Sequence, residues 1–287
     1  MKAPRFTYAR PSSVAETLAL LAQHQGDARV LAGGQSLVPM LNFRVAAPKV
    51  LVDINRVAGL SGIAVARDRV RIGAMTRHAE IERSPEIARH LPLLSEAIAH
   101  VAHPAVRNRG TFGGSCALAD PAAELPACAL ALGASFVVAR PGGERRVPAA
   151  EFFTGLYATA LDPEELLLAA EFPLPAPGYV SAFGELARRH GDYAIVGAAA
   201  HALERGGALH DARIAFFGVG DKPVRAAKLE RALEGRPADE RTIAAALEEL
   251  DADLSPRADL HASARTKLHL AKVLAGRVLP RLRGAAA

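Results

Sequence analysis

Apolar positions recur along this chain with two different periods, and the switches between them divide it into segments. Val14, Leu18 and Leu21 repeat at helical spacing behind the capping box Ser13-Val14-Ala15-Glu16 and stop at Gly26, which predicts a short amphipathic helix. Arg29-Val30-Leu31 then reads as a short buried strand, so the start of the chain is a small βαβ-like lobe ending near Arg56. Between residues 63 and 72 the period becomes two. Ile63, Val65, Val70 and Ile72 alternate around Arg67-Asp68-Arg69, a hairpin pattern. Two helical stretches follow, the second starting near Ser84-Pro85, where proline suits the first helical position. Phe136-Val137-Val138, the turn Pro141-Gly142-Gly143 and Val147 predict a second hairpin. The segment Glu171-Phe172-Pro173-Leu174-Pro175-Ala176-Pro177-Gly178 reads as a linker from its proline density. Beyond it, apolar runs over 194–203 and 209–218 flank Arg205-Gly206-Gly207, another hairpin signal. Helices from about Arg225, Asp239 and Ser263 complete a smaller α+β domain.

At 287 residues, half of them apolar, the chain is long enough for two domains. The opening Met1-Lys2-Ala3-Pro4-Arg5-Phe6 lacks the apolar core of a signal peptide, and no run approaches a membrane span, so a cytoplasmic protein is expected. The net charge of +5 comes from arginines scattered among acids, with no aromatic-interleaved basic stripe. It reads as a solvated surface that suits an acidic partner or an anionic cofactor, and no nucleic acid is expected. Cys116 and Cys128 are the only cysteines, too few for a disulfide framework or for the four ligands of an iron–sulfur cluster. Any such cluster must sit on another chain.

Two double-glycine loops carry the chemistry: Ala32-Gly33-Gly34-Gln35-Ser36 and Thr111-Phe112-Gly113-Gly114-Ser115. Paired glycines let a backbone approach a phosphate with its N–H groups exposed, and two such loops read as halves of one pyrophosphate clamp. Either alone is an ordinary turn signal. Other chemistries fare worse. Gly218-Val219-Gly220 has Pro223 where a dinucleotide fingerprint needs its third glycine, and there is no Walker lysine motif. His100 and His103 run into Pro104 without a third ligand, so they read as a loop or helix end, and no metal site is expected. Ser115 and Cys116 lack a nucleophile elbow, and no catalytic residue is assigned; Cys116 reads as a small filler. Taken alone, Asp120 is a turn acid before Pro121, Glu124 a helix N-terminal acid, and Tyr193 an aromatic beside an apolar run.

Residues 32–40 (Ala-Gly-Gly-Gln-Ser-Leu-Val-Pro-Met), with Asn42-Phe43-Arg44, Pro48 and Val52-Asp53-Ile54-Asn55, resemble the first flavin loop of a known family. That family is the medium, FAD-binding subunits of molybdenum hydroxylases, of the aerobic carbon monoxide dehydrogenase and xanthine dehydrogenase type. Val106 through Ser115, with Ala119-Asp120-Pro121-Ala122-Ala123-Glu124-Leu125-Pro126, resemble its second loop. Residues 188–196 resemble its C-terminal flavin-facing segment. The resemblance implies a vanillyl-alcohol-oxidase-like (PCMH-type) FAD-binding domain over residues 1–176, with lobes of about 1–57 and 58–176. A C-terminal α+β domain with an antiparallel sheet is implied over 177–287.

FAD is then expected to lie extended between the lobes, its pyrophosphate on N–H groups of both loops and the hydroxyls of Ser36, Thr111 and Ser115. The implied cofactor residues are Ala32, Gly33, Gly34, Gln35, Ser36, Leu37, Thr111, Gly113, Gly114, Ser115, Asp120, Glu124 and Tyr193. Asp120 and Glu124 are assigned to the ribose or adenine side, and Tyr193 to the isoalloxazine ring. Arg188, Arg189 and Asp192 either shape the flavin entrance or form a surface charge cluster. The implied partners are a large molybdopterin subunit and a small subunit with 2Fe-2S clusters, as a dimer of heterotrimers. This chain would relay electrons from those clusters to an external acceptor. The alternative is a stand-alone FAD-dependent oxidase of the vanillyl-alcohol type. Two departures stand out: Glu185 sits where some relatives have lysine, and Thr266-Lys267 replaces Tyr-Arg, which is expected to bear on a subunit contact and not on flavin binding.

Overall fold

The computed structural model describes residues 2–283, so Met1 of the opening segment lies outside it. Strands β1 (Thr7–Ala9), β2 (Ala28–Leu31) and β3 (Val50–Asp53) form a parallel sheet in the order β1-β3-β2, with helix Val14–His24 crossing between the first two. The central β3 is buried at every position, whereas β2 buries only Ala28 and exposes Arg29. The reading of residues 29–31 as a buried strand is therefore corrected. An edge strand has one unpaired side, and this one opens onto the first glycine loop. The helix is capped as expected by Ser13, whose hydroxyl accepts from Glu16 N. The reciprocal bond moves one residue, since Glu16 takes the N–H of Ser12.

A five-stranded antiparallel sheet comes next. Its strands are β4 (Ile63–Val65), β5 (Arg69–Gly73), β6 (Ser135–Arg140) and β7 (Gly143–Pro148), followed by β10 (Leu166–Pro173) after a small ribbon of β8 (Phe153–Gly155) and β9 (Ala158–Thr159). The order is β4-β5-β10-β6-β7, so both hairpins predicted from alternation are present and β10 joins them. The first three residues of the proline-dense segment are thus strand. Phe172 is fully buried opposite Val70, and Pro173 ends the ladder opposite Arg69, a position where a missing N–H is tolerated. Glu171 binds Arg69, Arg71 and Arg146, and the hydrogen bonds from Arg146 and Arg69 hold its carboxyl below the usual range. Only residues 174–178 remain as connection.

Strands β11 (Tyr179–Leu186), β12 (Val196–Arg205), β13 (Ala208–Phe217) and β14 (Val224–Arg225) make the final antiparallel sheet, in that order. Helices Ala227–Leu233, Glu240–Ala246 and Ala264–Val278 pack with Val196, Ile214 and Phe216 in one core, the last two capped by Asp239 and Ser263. On the other side, helix Glu124–Ala131 is buried along its whole length against β12 and β13, while helix Pro92–Ile98 lies on β11. Phe183, Ala199, Ala215 and Phe217 of this sheet belong to the same core as Phe112, Phe136 and Phe172. Each such phenylalanine stabilises the fold by on the order of 2–3 kcal/mol. The architecture is α+β, an N-terminal part with a parallel and an antiparallel sheet followed by a domain with an antiparallel sheet. No helix among the described residues is long and apolar enough to cross a membrane.

Lys267 is buried. Its Nζ donates to Gly218 O at 2.9 Å and pairs with Asp259 at 2.6 Å, and Gly218 N donates in turn to Pro121 O. The lysine thus ties the last long helix to the segment carrying Asp120.

Candidate functional site

The first loop leaves β2 and enters the short helix Leu37–Asn42. Gly34 has φ +75°, a conformation glycine adopts without a Cβ clash. Val38 N donates to Gly34 O and Met40 N to Ser36 O, so the loop's carbonyls are engaged. Its N–H groups are not: among the described residues, those from Gly33 to Leu37 have no acceptor in the chain. Five successive unengaged N–H groups form a concavity complementary to a phosphate. Gly33, Gly34 and Gln35 of this run line a groove of about 380 Å³ that is bounded by Leu31, Val38, Asp53, Asn55 and Arg109.

The second loop differs, despite its matching sequence. Gly113 N donates to Ala74 O at 2.8 Å, Gly114 N to Thr111 Oγ1 at 3.1 Å, and Ser115 N to Thr111 O at 3.1 Å, as Thr111 caps helix Phe112–Leu118. The expectation of free N–H groups at both glycine pairs is therefore corrected for the second, whose N–H groups are taken up within the chain, while those of the first are unengaged. The second loop offers the N–H of Thr111 and the unengaged hydroxyl of Ser115.

The loops touch. A Cβ on Gly33 would lie 2.4 Å from Arg109 O and 2.9 Å from Gly110 Cα, and one on Gly114 would lie 3.7 Å from Ala32 Cβ. A polar chain holds them in place. Tyr8 OH donates to Asp53, whose other oxygen accepts from Asn55 N and Nδ2; Asn55 Nδ2 also reaches Ala32 O at 2.9 Å. Arg77 donates to Asn55 Oδ1 at 2.6 Å and to Arg109 O. Desolvation and the neighbouring Arg109 charge hold the Arg77 guanidinium below its ordinary value. Tyr8, Arg77 and Arg109 were not singled out from sequence, because nothing local signals a bond spanning tens of residues.

His78 lies behind the second loop, where a Cβ on Gly110 would come within 2.9 Å of its Nδ1. The ring is buried with neither nitrogen hydrogen-bonded, and burial pushes its pKa down to about 4. The unfolded chain protonates this histidine below about 6.5, the folded chain only below about 4. Stability from this group is therefore full above 6.5 and lost as pH falls through that window, by on the order of 3 kcal/mol. The melting temperature of the native chain should fall relative to that of His78→Leu as pH drops from 6.5 to 4. A native-to-variant difference that stays constant would contradict the assignment.

A second group of residues lies where the two sheet systems meet. Asp120 accepts from Ala122 N and, at 3.3 Å, from Tyr157 OH. Desolvation raises the Asp120 carboxyl. Tyr157 is pushed up to about 12, first by desolvation and then by the Asp120 charge and hydrogen bond, with Tyr193 contributing. Tyr193 is 67% exposed; desolvation and the charges of Asp120 and Glu124 raise its phenol. Asp120, Glu124, Tyr157 and Tyr193 thus form one neighbourhood, next to helix Phe112–Leu118, which packs on both helix Glu124–Ala131 and β9. Arg188, Arg189 and Asp192 are solvent-facing without an ion pair among the described residues. Cys116 and Cys128 are free and buried, with burial pushing both thiols up. No group of three or more metal-ligating side chains occurs among the described residues.

Comparison with known proteins agrees in extent and kind. Residues 4–175 match the family described as the FAD binding domain in molybdopterin dehydrogenase, and residues 181–282 match the CO dehydrogenase flavoprotein C-terminal domain. The chain is 43% identical to the 6-hydroxypseudooxynicotine dehydrogenase complex subunit alpha of Paenarthrobacter nicotinovorans, over 97% of this chain and 95% of that one. It is 39% identical to the carbon monoxide dehydrogenase medium chain of Hydrogenophaga pseudoflava, over 96% of each. Carbon monoxide dehydrogenase from the same organism, solved in a form lacking the Mo-pyranopterin moiety of its cofactor, superposes with a TM-score of 0.96 at 40% identity. That match covers 98% of both chains.

Proposed function

The chain belongs to the family of FAD-binding medium subunits of molybdenum hydroxylases, and from that premise we propose that it takes electrons from 2Fe-2S clusters of a partner subunit and passes them to an external acceptor. The observation that carries the reading is the run of unengaged N–H groups from Gly33 to Leu37, set against the second loop. A dinucleotide pyrophosphate fits such a cradle. When bound, FAD supplies the two-electron chemistry; the chain supplies binding, orientation and electrostatics.

In this reading Ala32, Gly33, Gly34, Gln35, Ser36 and Leu37 hold the pyrophosphate from one side. Thr111 and Ser115 reach it from the other, with Gly113 and Gly114 shaping the second loop. Arg77 and Arg109 keep the region positive. Tyr193 covers the ring. The proximity of Asp120 and Glu124 to Tyr193 supports moving both to the ring end, away from the ribose or adenine side. The domains run over 1–176 and 177–287, and the complex is a dimer of heterotrimers with a large molybdopterin subunit and a small 2Fe-2S subunit in the cytoplasm.

The test separates this reading from a stand-alone oxidase. The purified chain should bind FAD releasable on denaturation, yet none of the complex's substrate should reduce it. Adding the two partner subunits should restore substrate-dependent flavin reduction. Bleaching of the FAD by substrate without any partner would overturn the proposal.

A further inference from the structure

Ten large apolar side chains are exposed among the described residues, and four of them, Phe6, Tyr8, Phe43 and Val45, fall in two stretches that run side by side. These are residues 2–10 and 43–49. Thr7 N donates to Lys49 O at 2.8 Å, β1 pairs with β3 from Thr7 opposite Val50, and Arg44 Nε lies 3.5 Å from Lys2 O. One continuous strip results. Apolar residues scattered singly over a surface are ordinary, whereas a grouped set marks an interaction site.

The turn that displays Phe43 and Val45 is firmly built. Phe43 N donates to Pro39 O, Arg44 N to Leu41 O, and the N–H groups of Val45 and Ala46 both to Met40 O. Arg44 is held at φ +58°, in the left-handed region that residues other than glycine rarely occupy. With the backbone so engaged, Phe43 is 68% exposed and Val45 75%. Beside the turn, β1 is the edge of its sheet and pairs only with β3. Such an edge offers backbone groups to an incoming chain.

Charge selects the occupant. The two stretches carry Lys2, Arg5, Arg10, Arg44 and Lys49 and no acid. Lys49 is paired with Asp27, and Arg10 lies 3.9 Å from Asp53. Lys2, Arg5 and Arg44 have no acidic partner among the described residues. A second copy of this chain, docked by two-fold symmetry on the same strip, would set these cations against their own images. An acidic surface is the complement, and the aromatic and arginine side chains present are those from which strong interface contacts are made.

We infer that this strip, with Phe6, Phe43 and Val45 as its apolar centre and Lys2, Arg5 and Arg44 beside them, docks an acidic segment of a partner subunit. The inference rests on the functional reading above, which supplies the partner.

The complex of this chain with its two partner subunits provides the test. Irradiation of a complex carrying Phe43→benzoylphenylalanine, a photoreactive residue, should join this chain to a partner subunit at a peptide rich in Asp and Glu, located by mass spectrometry. Arg5→Glu combined with Arg44→Glu should weaken assembly at least about tenfold at low salt, and less as salt rises. Isolated, that variant should keep the native melt and FAD content, since neither side chain packs in a core. Assembly unchanged by the double reversal would overturn the inference alone. So would a cross-link that reaches only a second copy of this chain, or none in the assembled complex. Partner subunits that never assemble with the native chain would overturn the functional reading and this inference with it.

Discussion

Gly33→Ala should leave the chain folded but strip it of FAD, lowering flavin content per protein at least about tenfold, or about 1.4 kcal/mol of binding. The added Cβ would sit 2.4 Å from Arg109 O and 2.9 Å from Gly110 Cα. Both obstacles are backbone atoms, so no rotamer relieves the overlap and the two loops must part. Misplacing a preformed cradle by about an ångström is enough to forfeit most of its benefit. Absorbance of the purified variant, with a thermal melt close to native, would check both halves. A variant that retains stoichiometric FAD would mean that the contact between the loops does not set the clamp.

Gly113→Ala should do the reverse and unsettle the fold. There the Cβ would come within 2.5 Å of Ala74 Cβ and 2.7 Å of Ala74 Cα and O, where helix Phe112–Leu118 is seated beyond the end of β5. The N–H of Gly113 is already committed to Ala74 O, so the clash and the loss of that bond coincide. A cost of about 3 kcal/mol is expected, which for a chain of this size lowers Tm by roughly 6–12 °C. An unchanged melt with lost flavin would instead make Gly113 a phosphate-approach glycine like its counterparts in the first loop. The pair of variants thus distinguishes two glycine doublets that look alike as letters.

That contrast marks how far the sequence could be read. Period and punctuation located both hairpins of the five-stranded sheet and the β12–β13 hairpin, because those are local patterns ended by glycine turns. Strand β11 was missed, since Gly178 and the prolines before it masked an alternation that only pairing with β12 makes regular. Phe172 and Pro173 were misread as linker for the same reason: their place is fixed by Val70 and Arg69, some hundred residues away. At the site, the loops were legible from their glycines. The bonds from Tyr8 to Asp53 and from Arg77 to Asn55 and Arg109 were not, because each joins separate turns of the chain. The Asp120–Tyr157 pairing was likewise invisible, Tyr157 having no motif of its own.

Phe183, Ala199, Ala215 and Phe217 come from the last sheet, yet they fill the same core as Phe112, Phe136 and Phe172. The boundary between the two matched families near residues 175–181 is therefore not a boundary of the hydrophobic core. A chimera spliced there between two relatives would bring together half-cores shaped for different partners, and its losses would appear as aggregation before any change in redox behaviour. A junction that keeps helices Pro92–Ile98 and Glu124–Ala131 with the sheet they face would spare it, at the cost of a discontinuous insert. Recombination among these subunits is accordingly expected to exchange them whole, so that diversification proceeds by point substitution on the surfaces and by the choice of companion chains.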